Sequence, residues 1–318
     1  MKRTALARLS GISCVAVALA SVATAGIAAP VAADEVGGGE PLAALDSVAP
    51  EVVESAVALT PGPEGAAAET ATGHVNVPAD SDDPVQLSSN GVDVQIHLPV
   101  SDASLVSHDE GAAIYSERNG VSTIVSAQED ASVVIATTLE SASAPSRFDY
   151  EYPGLTLEAT GDGDVIGYDA AGEIAVFVGI PWAYDANGTA VPTRYEVDGS
   201  TLTQIVEHTD ATFSYPIVAD PTNYGGNDLY TKIVKDADSR GTIIRVYPAA
   251  VNFSHLSNTA IWRKYQALTP GAYETTTMYD QLICHVRNIG RLKMPWNLEP
   301  WRPVVGYNAV VVAGCNPQ

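Results

Sequence analysis

Basic side chains are nearly absent from the middle of this chain. Residues 34–220 contain 32 Asp and Glu but only three Lys and Arg, a net charge of −29, whereas residues 221–318 contain six acidic and ten basic residues, a net charge of +4. A strongly negative surface opposes nonspecific attraction to phosphate groups, so the composition argues against nucleic acid as a partner. The change of sign near Asp220 predicts an acidic module followed by a mildly basic one.

Long hydrophobic runs are missing after residue 33. No later segment approaches the about 18 consecutive apolar residues that a transmembrane helix needs. The apolar run at 12–29 follows a positively charged start at 2–8 and ends at the small residues 31–33, a pattern typical of a secretory signal peptide. We predict that cleavage after Ala33 releases a secreted, extracellular protein without a membrane span; an uncleaved membrane anchor is the alternative.

Cysteine is also scarce, since the chain has only three: Cys14, Cys284 and Cys315. The residues before Cys14 lack the aliphatic residue of a lipid-attachment site, and cleavage removes this cysteine. In an oxidising compartment the other two should pair with each other. A redox or metal-binding pair would need CxxC spacing or nearby ligands, which the sequence lacks. We therefore predict a disulfide between Cys284 and Cys315 and no metal site.

Common catalytic and cofactor signatures are missing as well. The sequence contains no phosphate-binding glycine-rich loop, no Gly-x-Ser-x-Gly and no His-Glu-x-x-His. We therefore predict no cofactor, and the sequence alone does not indicate an activity. Acidic clusters at 162–164 and 185–188 could bind calcium, but Asp, Asn and Gly are also the residues that turns require, and no complete twelve-residue loop is present.

The acidic module divides into two parts. Residues 34–84 are rich in Ala, Pro, Glu, Gly and Val, which predicts a disordered acidic spacer. Residues 85–221 alternate apolar and polar side chains, most clearly at 92–98, and Asn119-Gly120 is a strong hairpin signal. Further turn sequences follow at 162–163, 169–172, 185–188 and 198–199. These patterns predict a mostly β, antiparallel domain at 85–221.

The basic module, residues 222–318, mixes helical and strand patterns. A hairpin is predicted at 231–247, a helix capped by Asn258 that ends before Pro270, and a second helix at about 275–288. Residues 304–315 alternate in a way that favours a strand. The predicted fold is a small α+β domain in which the disulfide joins the second helix to this terminal strand.

The densest set of polar and aromatic residues follows the second helix. It comprises Gln281, His285, Trp296, Glu299, Trp301 and Arg302. His285 with Glu299 and Arg302 could perform acid–base chemistry. Gln281, Trp296, Trp301 and Arg302 could instead form a binding surface. The third interpretation is structural: an ion pair, tryptophans that plug the core, and a histidine bonded to the main chain.

A basic and aromatic mixture near Trp296 invites one further interpretation. Arg287, Arg291 and Lys293 precede this tryptophan, and single-stranded nucleic acid binders combine such residues. The density of basic residues is modest, however, and the exported chain as a whole is acidic. We therefore do not expect nucleic acid to be the partner.

Several strings in the basic module resemble a known family. They are Thr277-Met278-Tyr279-Asp280-Gln281-Leu282, Cys284-His285, Trp296-Asn297-Leu298-Glu299-Pro300-Trp301-Arg302-Pro303, Tyr307 and Cys315-Asn316-Pro317. They resemble a family of secreted actinobacterial proteins with a domain of unknown function, DUF2599. The resemblance implies an exported actinobacterial protein and implies no activity. Residues 147–221 are similar to a β module that precedes varied carboxy-terminal domains in exported actinobacterial proteins.

Two functional hypotheses follow. The first is a non-catalytic extracellular or envelope-associated protein that binds an unknown partner through the Trp and Arg residues near its end. The second is a secreted effector whose last domain is a hydrolase, acting on RNA or another phosphodiester through His285, Glu299 and Arg302.

Overall fold

A computed structural model describes residues 39–107, 111–116 and 119–318 of the chain. The predicted signal peptide, the cleavage site after Ala33 and residues 34–38 of the predicted spacer lie outside the described residues. The helices are short, and their bounds are α1 Gly39–Val48, α2 Pro50–Glu54, α3 Asn258–Leu268, α4 Thr276–Cys284 and α5 Tyr307–Val312. A π-helical turn, His285–Ile289, continues α4.

Strands form most of the regular structure. Their bounds are β1 Thr60–Gly62, β2 Gly65–Glu69, β3 Gly73–Pro78, β4 Val85–Ser89, β5 Val92–Ile96, β6 Leu105–Ser107, β7 Ala112–Ser116, β8 Val121–Ala127, β9 Val133–Leu139, β10 Arg147–Glu151, β11 Thr156–Ala159, β12 Val165–Tyr168, β13 Ile174–Val178, β14 Ala183–Tyr184, β15 Thr193–Asp198, β16 Thr201–Val206, β17 Ile217–Ala219, β18 Thr222–Gly225, β19 Tyr230–Asp238, β20 Gly241–Pro248 and β21 Trp296–Leu298.

The strands pair in four antiparallel sheets within the described ranges. The first is a meander of β1 to β5, and the second has the order β10-β16-β15. The largest has the order β11-β12-β13-β18-β9-β8-β7-β6, with β17 pairing to both β9 and β14. The last, β19-β20-β21, lies in the carboxy-terminal region with α3 to α5. The predicted fold class, a mostly β antiparallel part followed by a small α+β region, is confirmed.

The predicted turns lie where the hairpins reverse direction. Asn119-Gly120 lies between β7 and β8, and Gly199 lies between Asp198, the last residue of β15, and the start of β16. Gly120 and Gly199 have φ angles of 77° and 62°, a left-handed conformation that glycine adopts without a steric cost. Local sequence determines such turns, so they were predictable.

The predicted disordered spacer is ordered in the structure from residue 39 onward. Leu45 of α1 and Val52 of α2 pack on the large sheet against Ile124 and Val134. Their neighbours Val125 and Ile135 face the opposite side and belong to the core shared with the five-stranded sheet. The alternate side chains of β8 and β9 are therefore buried on both faces. The composition of residues 39–84 resembles that of a disordered segment. Its small apolar side chains nevertheless pack against strands that lie far away in sequence, and no local pattern indicates this packing.

The change of charge near residue 221 falls inside the large sheet. Strand β18 follows the boundary directly, yet it pairs with β9 and β13 of the acidic region. Its Tyr224 shares a core with Phe177 and with carboxy-terminal residues such as Leu282. The described residues, 39–107, 111–116 and 119–318, belong to one compact unit.

The carboxy-terminal region differs from the prediction at its end. The hairpin β19–β20, helix α3 and helix α4 lie where the sequence placed them, although Ser257 rather than Asn258 caps α3. The predicted strand at 304–315 is wrong, because residues 307–312 form helix α5. Gly306 and Gly314, with φ angles of 82° and 63°, bracket this helix. Across the described ranges, no helix has both the length and the apolar character that a membrane span requires.

Candidate functional site

His285 begins the π-helical turn at the end of α4, and its side chain is completely buried. Its Nδ1 donates to the carbonyl oxygen of Gln281 at 2.7 Å, so the proton lies on Nδ1. Its Nε2 is buried and has no hydrogen-bond partner among the described residues. Burial is the main cause that lowers the pKa of His285 from 6.5 to about 4. The hydrogen bond to the Gln281 carbonyl raises this pKa and the nearby positive charge of Lys293 lowers it, but both effects are smaller than that of burial. His285 is therefore a neutral core residue at neutral pH.

This burial predicts acid sensitivity. The unfolded chain takes up a proton on His285 near pH 6.5 while the folded protein resists it until about pH 4. The stability that the neutral imidazole contributes is complete above pH 6.5 and is lost as the pH falls, by about 2–3 kcal/mol at about pH 4.5. His285→Gln keeps an N–H donor and removes the titration. The stability difference between wild type and variant should therefore shrink by this amount between about pH 7 and about pH 4.5.

Urea unfolding at each pH measures this difference. Carboxylates that titrate in the same pH range change the stability of wild type and variant equally, so their contribution cancels in the comparison. A difference that stayed constant with pH would show that His285 is not held neutral by burial.

Gln281 fastens helix α4 to the chain after β21. Its Nε2 donates to Thr277 Oγ1 and to the carbonyl oxygen of Glu299, both at 3.1 Å. Its Oε1 accepts from the backbone N–H of Glu299 at 2.9 Å. The amide is buried, and both of its ends bond to the protein. The predicted binding residue Gln281 therefore positions the main chain at Glu299.

Glu299 and Arg302 form a buried ion pair, since their side chains are only 4% and 5% exposed. Arg302 Nε donates to Glu299 Oε2. Arg302 Nη1 also donates to the carbonyl oxygens of Asn316 at 3.1 Å and Pro317 at 2.6 Å. Asn316 Nδ2 in turn donates to Glu299 Oε2 at 3.2 Å. The pair therefore holds the end of the chain against the segment that follows β21.

The two tryptophans occupy different environments. Trp296 is fully buried, and its Nε1 donates to the carbonyl oxygen of Gly290 at 2.8 Å. Trp301 is only partly buried, and the guanidinium groups of Arg240 and Arg302 lie 5.0 and 4.6 Å from its ring centre. A side chain at Gly241 would come within 2.9 Å of this ring, so glycine permits the contact. Among the predicted binding residues, Trp301 alone reaches the surface, and cations already contact its ring.

The predicted disulfide between Cys284 and Cys315 is confirmed. The two Cα atoms lie 5.4 Å apart, and both side chains are buried beside Val310. The element that the bond ties to α4 is the turn after α5, where the backbone N–H of Cys315 donates to the carbonyl oxygen of Val310 at 2.9 Å. The pairing followed from the number of cysteines, but the conformation around Cys315 did not.

The six residues thus do not assemble into one exposed site. His285 bonds to Gln281, whereas Glu299 and Arg302 bond to each other and to the carboxy terminus. In the part of the chain that the structure describes, no group of three or more His, Cys, Asp or Glu residues is placed to hold a metal ion. This arrangement agrees with the structural interpretation of these residues.

Sequence reasoning missed a polar contact between the acidic and basic regions. Lys264 of α3 is buried and donates from Nζ to Asn227 Oδ1 at 2.9 Å. Asp228 is buried and accepts from Ser89 Oγ at 2.7 Å and from Asn90 Nδ2 at 2.6 Å. Burial raises the pKa of Asp228 and lowers the pKa of Lys264.

Asn90, Asn227, Asp228 and Lys264 border a cleft of about 490 Å³. The bonds from Asp228 connect the turn between β4 and β5 to the carboxy-terminal region. The sequence did indicate that Lys264 is buried, because it follows Ala260 and Ile261 at helical spacing and so lies on the buried face of α3. A lysine is usually solvated, and for that reason it was not expected in the core.

Comparisons with known proteins identify relatives of the last part of the chain. The model of the family described as "Protein of unknown function (DUF2599)" matches residues 234–318. Uncharacterized protein Rv0477 of Mycobacterium tuberculosis is 36% identical over 118 residues, covering 31% of this chain and 78% of the relative. Uncharacterized protein Mb0487 of Mycobacterium bovis matches with the same values. Uncharacterized protein ML2452 of Mycobacterium leprae is 39% identical over 59 residues, 18% of this chain and 47% of the relative. No solved structure matches the chain significantly.

Proposed function

This chain belongs to the DUF2599 family, and from that membership and the buried state of its polar cluster we propose that it is a secreted, non-catalytic protein that binds a partner in the cell envelope. The observation that carries the proposal is that the residues suited to chemistry are used to hold the protein's own carboxy terminus. The partner then meets a surface formed by other residues.

The contacts of the cluster support a non-catalytic role. Acid–base catalysis needs a titratable group within hydrogen-bond reach of the substrate. His285 is fully buried and neutral, and its donor nitrogen is bonded to Gln281. Glu299 and Arg302 are nearly inaccessible to solvent and are paired with each other. The hydrolase hypothesis would require all three groups to leave these contacts.

The cysteines support a location outside the cytoplasm. Disulfides persist in oxidising compartments and are rare where thiols are kept reduced. The bond between Cys284 and Cys315 joins two buried residues and closes the last part of the fold. The signal-peptide pattern of residues 1–33 agrees with this location.

Fractionation of an actinobacterial host that expresses the full chain tests the proposal. We expect most of the protein to sediment with the envelope, and its first residue to lie near position 34, because the leader directs export and the folded part then binds its partner. Amino-terminal sequencing and immunoblots of the cytosol, envelope and medium measure both outcomes.

Two controls define the result. A chain without residues 1–33 should stay in the cytosol, and His285→Gln should be retained in the envelope as well as wild type is. Protein found only in the medium, or uncleaved in the cytosol, would contradict the proposal.

A further inference from the structure

Large apolar side chains are exposed at the end of the carboxy-terminal region. Leu292 and Met294, in the loop before β21, are 95% and 48% exposed. Val304, Val305 and Val312, around α5, are 65%, 42% and 90% exposed. Soluble proteins rarely present several large apolar side chains together unless the surface has a binding role.

The two groups of apolar residues lie at the same end of the fold. Asn288 Nδ2 donates to Tyr307 Oη at 3.1 Å. Asn288 lies four residues before Leu292, and Tyr307 lies two residues after Val305. Ile289 packs on the buried cluster that contains Val310 of α5 and the disulfide. The bond from Trp296 Nε1 to the carbonyl oxygen of Gly290 fixes the start of the loop. The loop and α5 therefore lie at the same end of the carboxy-terminal region.

Positive charge alternates with the apolar residues of the loop. Arg291 and Lys293 flank Leu292, and both are exposed. Neither takes part in an ion pair within the described ranges. Cations beside exposed apolar side chains are the combination that binds a membrane surface, where the apolar groups enter the interface and the cations meet anionic headgroups.

We propose that residues 291–294 with Val304, Val305 and Val312, here called the terminal surface, dock on an anionic lipid bilayer. The proposal rests on the proposed function and names the partner in the envelope. A second copy of the chain suits the surface less well, because pairing this face with itself would bring Arg291 and Lys293 together with their own copies. The net charge of −29 over residues 34–220 is repelled by the same bilayer, so the chain can approach the lipid only through its basic end, and the exposed apolar side chains must supply part of the binding.

Vesicle co-sedimentation of the chain from residue 34 tests the docking. The probes are vesicles of phosphatidylcholine alone and vesicles in which about one third of the lipid is phosphatidylglycerol. We expect binding at least about tenfold tighter to the anionic vesicles, weakening as salt is added, since the attraction acts between exposed charges. Equal binding to both vesicles, or no binding to either, would overturn the proposal.

Matched variants assign the binding to the terminal surface. Leu292→Ser with Met294→Ser, and separately Arg291→Glu with Lys293→Glu, should each weaken binding about tenfold. Val106→Ser and Lys235→Glu alter an exposed valine and a basic residue elsewhere and should change it by less than about twofold. Unfolding curves that match wild type show that the variants are folded. Weakening by the controls as strong as by the loop variants would overturn the assignment.

Two further outcomes separate this inference from the proposed function. Envelope retention that depends on Leu292 without any vesicle binding would overturn the lipid assignment in favour of a protein partner. A concentration-dependent dimer that Leu292→Ser abolishes, again without vesicle binding, would overturn it in favour of self-association. Neither result would contradict the proposed envelope location, which fractionation tests separately.

Discussion

Replacing Arg302 with alanine should lower the free energy of unfolding by about 3–5 kcal/mol, because the change leaves the Glu299 carboxylate buried without its main partner. It also removes the donor to the carbonyl oxygens of Asn316 and Pro317. The remaining neighbours of the carboxylate are Asn316 Nδ2 at 3.2 Å and the Arg240 guanidinium at 3.5 Å. These contacts compensate only in part, because a buried charge needs close hydrogen bonds on both oxygens.

Arg240→Ala is the matched control for this prediction. Arg240 contacts the same carboxylate and the same Trp301 ring, but its side chain is 52% exposed. Ion pairs of exposed residues contribute about 0–1 kcal/mol, so the control should cost little. Urea unfolding followed by tryptophan fluorescence measures both variants, since Trp262, Trp296 and Trp301 all lie in the carboxy-terminal region. Equal losses for Arg302→Ala and Arg240→Ala would mean that burial of the pair does not matter.

A double-mutant cycle separates the pair from its surroundings. Glu299→Gln keeps the shape of the side chain and removes its charge, so the cost of Arg302→Ala should be smaller in that background. We expect a coupling energy of about 2–3 kcal/mol. Additive losses would show that Arg302 acts through the carboxy-terminal carbonyls alone.

The second large effect concerns the disulfide. Replacing both Cys284 and Cys315 with alanine should lower the free energy of unfolding by about 3–4 kcal/mol, because the bond closes a loop of 31 residues and limits the unfolded chain. The loss should concern α5 and the chain end first, since the bond ties these elements directly to α4. Hydrogen exchange of the amides of residues 307–317, compared between variant and wild type, measures it.

Solvent access to the bond supplies the control. Both cysteines are almost fully buried, so a reductant should act only after the end of the chain opens. We expect no maleimide-reactive thiol in the native protein and two after unfolding in reductant. Two reactive thiols in the folded, exported protein would contradict the pairing.

Short-range chemistry accounts for the parts of the fold that the sequence predicted. The hairpin at Asn119-Gly120 and the reversal at Gly199 follow from residues that adopt positive φ angles. Helix α4 follows from its apolar periodicity, and its Met278 and Leu282 are fully buried as predicted. These features depend on neighbours along the chain.

The errors share a cause, which is that the deciding partner lies far away in sequence. Residues 307–315 alternate as a strand would, but Tyr307 and Val310 also share one face of a helix, and packing against Cys284 and Ile289 selects the helix. Residues 39–54 were interpreted as disordered because their apolar side chains are small. The second face of the large sheet, formed by β7 to β9, gives these side chains a surface to pack against.

The candidate site shows the same division. The residue types were identified correctly, and the sequence left three interpretations open. Burial of His285 beside Trp296, and the position of the chain end beside Arg302, were not predictable, because both depend on how segments distant along the chain pack together. The sequence indicated only the positive charges of the loop around Leu292. It did not indicate that Leu292 is exposed, because exposure depends on the folded structure.

The sequence by itself determined the charge contrast, the expectation of export, the hairpin turns and the partner of each exported cysteine, because composition and local geometry are enough for these. Only the tertiary structure decided that residues 39–54 cover a sheet, that residues 307–312 form a helix rather than a strand, and that Gln281, His285, Glu299 and Arg302 face inward. Burial is set by contacts between segments distant in sequence, and those contacts convert a set of reactive residue types into the internal support of the carboxy-terminal region.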